Sequence, residues 1–396
     1  MSKGDYILMK QLILNPVENI PHLITNHTYQ DVQGLYVSDK LKTDEIVKSS
    51  IIGFSGRESA NKDVHRIYSD WKAVLGVDNF SMRLLSGLHA HTVLFMGLGN
   101  IGDTVLILPV EAGGHFSTKK ILKRLGYNVV EAVPNCKSYA IDFEKTLQLI
   151  KVKKPNFIFI DRSEGIYYED FTDLIKNVND ECGTMFDASQ YLTNILMKDF
   201  KNPFDMGFHL MMSTLHKNFP GPQKAMVCSR TSNIYWENAL YAVNNYVSNI
   251  HVQHIYEAGD ILENKTLLSK YSKKMLENSI NIEMKLAEFD VPVILKEKNK
   301  TPTHHIWINF NNKDKAFDFY KKMEKCGLLV NYRNLPYELG FGIRMGTSAA
   351  TIQGINAINQ NDLAILISKI YKSKLVDDKL ISDCQDFINS LEPLNI

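Results

Sequence analysis

Apolar residues in this chain occur mainly in short continuous runs, which are separated by stretches with helical spacing. The runs at residues 127–132, 156–161 and 183–187 indicate buried strands. Residues 142–151 and 171–179 place apolar side chains three and four positions apart, which predicts amphipathic helices between the strands. Strands and helices that alternate in this order predict an α/β fold with a mostly parallel sheet and helices on both faces.

The same pattern divides the chain into three regions. Residues 1–45 form a predicted N-terminal arm, in which Pro16 and Pro21 prevent a continuous helix. Residues 46–265 form a predicted large domain, and residues 266–396 form a smaller α+β C-terminal domain. A length of 396 residues suits this division into one large and one smaller core.

A lysine lies on the turn between two apolar segments, residues 208–212 and 225–228. The turn contains Pro-Gly-Pro at 220–222, and Lys217 follows His216 just before it. A lysine in a turn is most often a solvated surface residue. Held between two buried strands beside a histidine, however, its amine is well placed to form a covalent bond with a carbonyl group.

An aspartate that complements this lysine ends an earlier predicted strand. Asp187 lies 30 residues before Lys217 and is followed by Ala-Ser-Gln at 188–190. Pyridoxal-phosphate enzymes use this pair of side chains, a lysine for the Schiff base and a carboxylate opposite the pyridinium nitrogen. The two residues therefore point to pyridoxal 5'-phosphate as a cofactor.

Two glycine-containing turns are candidate ligand contacts. Ser86-Gly87 opens an apolar helix, where free backbone N–H groups and the helix dipole favour a phosphate, although Ser86 also suits an ordinary N-cap. His115 follows a pair of glycines, which allow the backbone to pass close to a ligand.

Arg344 is flanked by glycines, and its guanidinium has the forked geometry that binds a carboxylate, with a surface salt bridge as the alternative.

These residues resemble the serine hydroxymethyltransferase family of fold-type-I pyridoxal-phosphate enzymes, over about residues 12–370. The motifs that carry the resemblance are Gly-Asp-Thr-Val at 102–105, Asp-Ala-Ser-Gln at 187–190, Asn-Pro-Phe-Asp-Met-Gly at 202–207, Ser-Thr-Leu-His-Lys at 213–217, Gly-Pro-Gln at 221–223 and Gly-Ile-Arg-Met-Gly-Thr at 342–347. The resemblance implies a central sheet of the seven-stranded type and a homodimer with shared active sites.

The resemblance also implies roles for individual residues. Lys217, Asp187 and His115 are expected to be catalytic, with His115 stacked on the cofactor ring. The expected cofactor contacts are Ser86, Gly87, Leu88, His115, Asp187, Gln190, Thr214, His216 and Lys217. The expected substrate contacts are Arg344 for the α-carboxylate, together with Glu18 and Tyr36.

The chain departs from the family at positions that bear on its reaction. The family has Tyr-x-Glu-Gly-Tyr-Pro-Gly, whose glutamate is catalytic. If residues 53–57 match its glycine turn, Ile52 replaces the glutamate; if Tyr36 matches its start, the glutamate is again absent. The family's Ser-Gly-Ser-x-Ala-Asn has Leu88 in place of its second serine, and Gln190 stands where a histidine is usual.

The missing acid favours a folate-independent reaction. We expect aldol or retro-aldol chemistry at the α-carbon of a β-hydroxy-α-amino acid, as in a threonine aldolase or transaldolase. One alternative is a serine hydroxymethyltransferase that uses tetrahydrofolate. Others are transamination, racemisation or decarboxylation on the same cofactor, or a catalytically inactive protein that keeps only the fold.

Composition excludes several other classes of protein. The apolar share is 44%, the charged share 22% and the net charge +1, a globular balance that does not indicate nucleic-acid binding. Five scattered cysteines argue for a reducing compartment and against disulfides or zinc, and His251 with His254 lacks a third metal ligand. No leader-like or membrane-spanning apolar run is present, so we expect a cytoplasmic protein without a metal.

Overall fold

The computed structural model describes residues 10–16, 58–179, 181–248 and 250–394. The strands are β1 (Leu12–Ile13), β2 (Asn79–Ser81), β3 (Thr104–Ile107), β4 (Asn128–Glu131), β5 (Pro134–Asn135), β6 (Ala140–Ile141), β7 (Phe157–Ile160), β8 (Gly183–Asp187), β9 (Leu210–Thr214), β10 (Ala225–Ser229), β11 (His305–Asn309), β12 (Leu328–Leu329), β13 (Asn331–Leu335) and β14 (Gly340–Gly346). The α-helices are α1 (Glu58–Leu75), α2 (Gly87–Leu98), α3 (Thr118–Arg124), α4 (Phe143–Lys153), α5 (Thr172–Lys176), α6 (Leu192–Leu196), α7 (Ile234–Tyr246), α8 (Val252–Glu263), α9 (Lys265–Glu288), α10 (Lys313–Lys325), α11 (Ser348–Ile352), α12 (Gln360–Lys372) and α13 (Asp378–Ser390). Short 3-10 helices lie at Val110–Ala112 and Pro203–Met206.

The larger sheet has seven strands in the order β2-β10-β9-β8-β7-β3-β4. Strands β9, β8, β7, β3 and β4 pair in parallel, whereas β10 pairs antiparallel with both β9 and β2. Every residue of β7, β8 and β9 is buried, which explains why these strands read as continuous apolar runs. The predicted α/β fold with a mostly parallel sheet is confirmed.

Between residues 234 and 263 the chain forms two helices, α7 and α8, with a break between them. Between them, the carbonyl oxygens of Val247 and Ile250 accept hydrogen bonds from the buried side chains of Arg83 and Lys224. The carbonyl oxygens of Val247 and Ile250 therefore have hydrogen-bond partners outside the two helices. Helix α8 begins after His251, its N-cap residue, whose φ is 47°.

The chain forms two compact units, and the second contains the described parts of residues 1–19, 166–168 and 270–396. It has an antiparallel sheet in the order β11-β14-β13, and β1 pairs in parallel with β12. Its apolar core includes Leu12, Ile306 and Ile343. The first unit holds the described parts of residues 20–165 and 169–269. The domain boundaries drawn from the sequence stay predictions.

None of the helices in the described part of the chain is both long enough and apolar enough to cross a bilayer. Among these same residues, no three histidine, cysteine or acidic side chains come together in a way that would hold a metal ion. The rings of His251 and His254 do lie 5.6 Å apart. Two imidazoles alone do not make the four-ligand set that a structural zinc ion requires.

A buried ion pair connects helix α9 of the second unit to the segment that follows it. Lys296 Nζ lies 2.5 Å from Glu283 Oε2, and the two side chains are 5% and 3% exposed. The backbone N–H of Lys296 also donates to Glu283 Oε1 at 2.7 Å. Burial lowers the pKa of Lys296, and the Glu283 carboxylate opposes that shift.

We expect Glu283→Ala to lower the free energy of unfolding by about 3–5 kcal/mol, because it leaves Lys296 buried without its carboxylate. Tryptophan fluorescence during urea unfolding would measure this change. The control is Glu288→Ala on the same helix, whose exposed pair with Lys285 is worth about 0.5 kcal/mol. If the two substitutions lowered the free energy of unfolding equally, burial of the Glu283–Lys296 pair would contribute nothing to stability.

Candidate active site

The carboxylate predicted to face the cofactor lies at the carboxyl end of β8. Asp187 is 8% exposed. Its Oδ1 accepts hydrogen bonds from the backbone N–H of Ser189 at 2.9 Å and from Ser189 Oγ at 2.5 Å. Ser189 Oγ in turn accepts from the backbone N–H of Thr214 at 2.9 Å. One hydroxyl therefore ties the end of β8 to the end of β9.

The second oxygen of this carboxylate has its own partner on helix α2. His91 Nε2 lies 2.9 Å from Asp187 Oδ2, and the two side chains are 3% and 10% exposed. Burial by itself would raise the pKa of Asp187, but the hydrogen bonds from His91 and Ser189 and the charge of Lys217 lower it to about 2. Asp187 is therefore a carboxylate at neutral pH despite its burial.

Lys217 lies on the loop that joins β9 to β10, as the sequence predicted. The loop is closed by hydrogen bonds from Leu215 N to Lys224 O at 2.9 Å and from Gly221 N to Leu215 O at 2.7 Å. The next residue, Asn218, is fully buried and holds the loop to α6, since its Oδ1 accepts from Thr193 N at 2.7 Å. Lys217 itself is half-buried on this fixed backbone.

His216 lies on the same loop and is also half-buried. Its Nδ1 has no hydrogen-bond partner among the described residues. Burial and the charge of Lys217 lower the pKa of His216 to about 4, so its imidazole is neutral at neutral pH. A neutral ring beside Lys217 does not add a second positive charge to the loop.

The predicted phosphate turn lies against the end of β9. Helix α2 begins at Gly87, and a Cβ atom there would come within 2.7 Å of Thr214 Cγ2, so a larger residue would push the turn away from the strand. Ser86 occupies the N-cap position, yet its side chain makes no capping hydrogen bond. The Thr214 Oγ1 atom is buried without a partner among the described residues, whereas Leu88 is 48% exposed.

The loop that carries His115 is held close to the ends of these strands. Gly113 has a φ of 84°, and a Cβ atom there would overlap the carbonyl oxygen of Glu164, so only glycine fits. The backbone N–H of His115 donates to Asp161 Oδ2 at 3.3 Å. Its ring meets the ring of His91 edge to face, with centroids 5.6 Å apart. His91 thus contacts both His115 and Asp187.

A second buried carboxyl, that of Asp161, ends β7 next to this loop. The hydroxyl of Thr118 and the backbone N–H of His115 donate to its Oδ2, while Oδ1 has no partner among the described residues. Burial raises the pKa of Asp161 well above its ordinary value, and the charge of Asp187 adds to that shift. The surroundings therefore lower the pKa of Asp187 and raise the pKa of Asp161.

The first unit brings most of the candidate residues to one end of its sheet. Asp187, Ser189 and Thr214 share hydrogen bonds, and Lys217 is near enough to lower the pKa of Asp187. Gln190 is buried immediately after Ser189. Parallel strands that end together in this way form a ligand-binding edge in α/β proteins.

The remaining candidates lie elsewhere in the chain. Arg344 belongs to the second unit, is 4% exposed, and lies in β14 opposite Trp307 and Asn331. Glu18 and Tyr36 are outside the described residues, as is Ile52. Their predicted roles stay predictions.

Sequence reasoning missed three residues that shape this site. The sequence pattern indicates no role for His91 or Asp161, and it marks Ser189 only as part of the Asp-Ala-Ser-Gln motif at 187–190. A usable signal existed for His91, because it lies four residues after Gly87, and residues four apart lie on the same face of a helix. Nothing in the sequence indicated the hydrogen bond between Asp161 and the backbone of His115.

The donors and acceptors at this edge fit pyridoxal phosphate. A buried carboxylate that stays ionised suits a cationic ring nitrogen, and the His115 ring accepts a hydrogen bond at Nδ1 from the backbone N–H of Ser117 at 3.3 Å. The unpartnered hydroxyl of Thr214 and the open start of α2 offer donors to a phosphate. Asp187 and Thr214 are buried, whereas His115 is half-buried.

Comparison with known proteins agrees with pyridoxal phosphate as the cofactor. The profile of the family described as "Serine hydroxymethyltransferase" matches residues 65–367. A serine hydroxymethyltransferase of Archaeoglobus fulgidus is 24% identical over 402 aligned positions, which cover 94% of this chain and 91% of the relative. One of Metallosphaera sedula is 27% identical and covers 83% of this chain and 81% of the relative.

A solved structure has the same fold. The crystal structure of L-threonine transaldolase from Pseudomonas fluorescens in the internal aldimine state superposes with a TM-score of 0.87. The match covers 98% of this chain and 88% of that chain, at 19% sequence identity. At this identity the likeness establishes the fold and leaves the reaction to be argued from the site.

Proposed function

This chain belongs to the serine hydroxymethyltransferase family, and from that premise we propose that it catalyses folate-independent aldol chemistry on a β-hydroxy-α-amino acid. It is a pyridoxal-phosphate enzyme of the hydroxymethyltransferase and aldolase type. The observation that carries the proposal is the buried, ionised Asp187 beside the fixed loop of Lys217. The proposal also includes a homodimer with shared active sites and a cytoplasmic location.

The residues of the first unit would hold the cofactor in a defined orientation. Lys217 would attach it covalently, and Ser86, Gly87, Thr214 and His216 would surround its phosphate. Leu88 contributes its backbone N–H, because its side chain is exposed. When bound, the cofactor withdraws electrons from the α-carbon of an amino acid. The protein's own part is to fix the ring, the phosphate and the substrate.

Asp187 and His115 would set the position and the charge of the ring. The Asp187 carboxylate keeps a proton on the ring nitrogen, since a buried anion favours the cationic form of its partner. His115 would lie against the ring face, with its backbone held by Asp161. Gln190, which is buried next to Ser189, would contact the ring edge in place of the family's usual histidine.

The substrate would be oriented by its carboxylate and by the N-terminal segment. We assign Arg344 to the α-carboxylate, because a guanidinium binds it through two parallel hydrogen bonds. Glu18 and Tyr36 are assigned to the substrate on the family resemblance alone. With the carboxylate held in this way, the amino acid would be oriented for cleavage of its Cα–Cβ bond. In that cleavage the β-hydroxyl group gives up its proton, the β-carbon leaves as an aldehyde, and the α-carbon gains a proton to give glycine.

Two observations favour the folate-independent reaction over hydroxymethyl transfer. No placement of the family's Tyr-x-Glu-Gly-Tyr-Pro-Gly segment on this sequence supplies the glutamate, whether Ile52 or Tyr36 anchors it. The solved neighbour is an L-threonine transaldolase, so the same fold supports chemistry on threonine. The second candidate is tetrahydrofolate-dependent hydroxymethyl transfer, which the names of the curated relatives favour.

We expect the purified, cofactor-loaded protein to release acetaldehyde from L-threonine without folate, and tetrahydrofolate to leave that rate unchanged. A coupled alcohol dehydrogenase assay measures the aldehyde. The Lys217→Ala variant, prepared in the same way, gives the background rate. A protein that is silent with threonine but converts serine to glycine when tetrahydrofolate is added would reverse this preference.

A further inference from the structure

We infer that His91 is a positioning residue, which fixes the Asp187 carboxylate at the ring nitrogen of the cofactor through a direct hydrogen bond. The inference rests on the proposed role of Asp187 and adds a residue to that site. His91 does not reach the reacting atoms itself. Its effect on the cofactor passes through the carboxylate.

The geometry around Asp187 leaves His91 as the donor to one of its two oxygens. Ser189 donates to Oδ1 through both its N–H and its hydroxyl, whereas His91 Nε2 lies 2.9 Å from Oδ2. An ionised carboxylate only accepts hydrogen bonds, so Nε2 carries the proton. Without this donor, Asp187 would be held at one oxygen and free to rotate.

The environment of His91 argues against a purely structural role. The ring is packed among aromatic side chains, with its centroid 5.0 Å from that of Phe159 and 5.9 Å from that of Phe95. Its Nδ1 is buried and has no hydrogen-bond partner among the described residues. A leucine or phenylalanine would fill this apolar space without burying an unpaired nitrogen, which costs stability. The histidine therefore contributes through Nε2.

The contact with His115 extends the role of His91 to the ring face. The His91 ring meets the His115 ring edge to face at 5.6 Å, while its Nε2 binds Asp187. One side chain thus supports both groups assigned to the cofactor ring. Asparagine is shorter than histidine but also donates a hydrogen bond through its side-chain amide, which makes it the conservative replacement for His91.

The test compares two substitutions at His91. His91→Phe keeps the ring and removes the donor, while His91→Asn keeps a donor and removes the ring. The first readout is the dissociation constant of pyridoxal phosphate, from titration of the apoprotein. The second is nitrogen NMR of cofactor labelled at its ring nitrogen, which reports whether that nitrogen carries a proton.

We expect His91→Phe to raise the dissociation constant about tenfold, the factor contributed by one charge-assisted hydrogen bond, and to shift the ring-nitrogen signal towards the unprotonated position. His91→Asn should restore the signal and bring the dissociation constant to within about threefold of the original. If both variants match the unsubstituted protein, or if both lose the signal equally, hydrogen-bond donation by His91 is not the cause and the inference is wrong.

Two further variants separate this inference from its premise and from misfolding. Asp187→Asn should abolish ring-nitrogen protonation; if it does not, the proposed role of Asp187 fails, whatever His91 does. Phe95→Leu loosens the packing around His91 on the same helix and leaves the hydrogen bond intact. It should lower the melting temperature of the apoprotein and leave the ring-nitrogen signal unchanged. A signal lost in Phe95→Leu as well would mean that packing, and not the donor, controls the carboxylate.

Discussion

Substitution of Lys217 by alanine should remove the visible absorption of the cofactor-loaded protein after desalting and lower kcat by a factor on the order of a thousand or more. The loop of Lys217 is fixed by the burial of Asn218 and by backbone hydrogen bonds, so its amine is delivered to one place. An amine held at a fixed position reacts as if it were present at a concentration that no amine in solution can reach. Absorption spectra and steady-state rates measure the two effects.

Two control variants separate the covalent role of Lys217 from its charge. Lys217→Arg keeps a positive charge that lowers the pKa of Asp187, but it cannot attach the cofactor, so it should resemble Lys217→Ala in its spectrum. Lys176→Ala, an exposed lysine at the end of α5, should leave spectrum and rate unchanged. Visible absorption that survives desalting in Lys217→Ala would place the attachment on another lysine, and Lys224 at the other end of the loop would be the next to substitute.

The second large effect is expected at Arg344. If Arg344 binds the α-carboxylate as proposed, Arg344→Lys should raise KM for the amino acid about a hundredfold, since lysine offers a single point charge where the guanidinium would make two parallel hydrogen bonds. The dissociation constant of pyridoxal phosphate should not change. Steady-state kinetics with L-threonine measures the first quantity, and titration of the apoprotein measures the second.

The chain offers a control in the same small sheet. Arg333→Lys on β13 changes a partly exposed arginine and should alter KM less than twofold. An amino alcohol that lacks the carboxylate provides a complementary test, because it should bind the unsubstituted enzyme and Arg344→Lys equally weakly. A KM that is unaffected by Arg344→Lys would remove this residue from the substrate site and leave it as part of the β14 ladder.

The sequence predicted those parts of the site that depend on local patterns. Asp187 was expected at the end of a strand, and it ends β8; Lys217 was expected on a turn between strands, and it joins β9 to β10. Both predictions worked because buried strands leave continuous apolar runs, and the turn is marked by proline and glycine. The α/β fold follows from the same pattern.

What the sequence did not reveal depends on contacts between distant segments. His91 reaches Asp187 across 96 positions of the chain, and Arg83 reaches the carbonyl oxygen of Val247 across 164. A hydrophobic pattern reports which face of an element is buried and carries no information about which polar atoms meet there. The break between α7 and α8 is an example, because the buried side chains of Arg83 and Lys224 donate to carbonyl oxygens there.

The N-terminus of helix α2 lacks a side-chain cap, and this has a thermodynamic consequence. Ser86 leaves its helix without a side-chain cap, and the nearby Thr214 hydroxyl is buried without a partner among the described residues. A phosphate bound there, as proposed, would accept hydrogen bonds from these groups, so cofactor binding would add stability that the apoprotein lacks. By mass action, the resistance of this enzyme to heat and proteolysis would then rise with the free concentration of its cofactor. Cofactor supply would therefore control how much of the protein persists as well as how much is active.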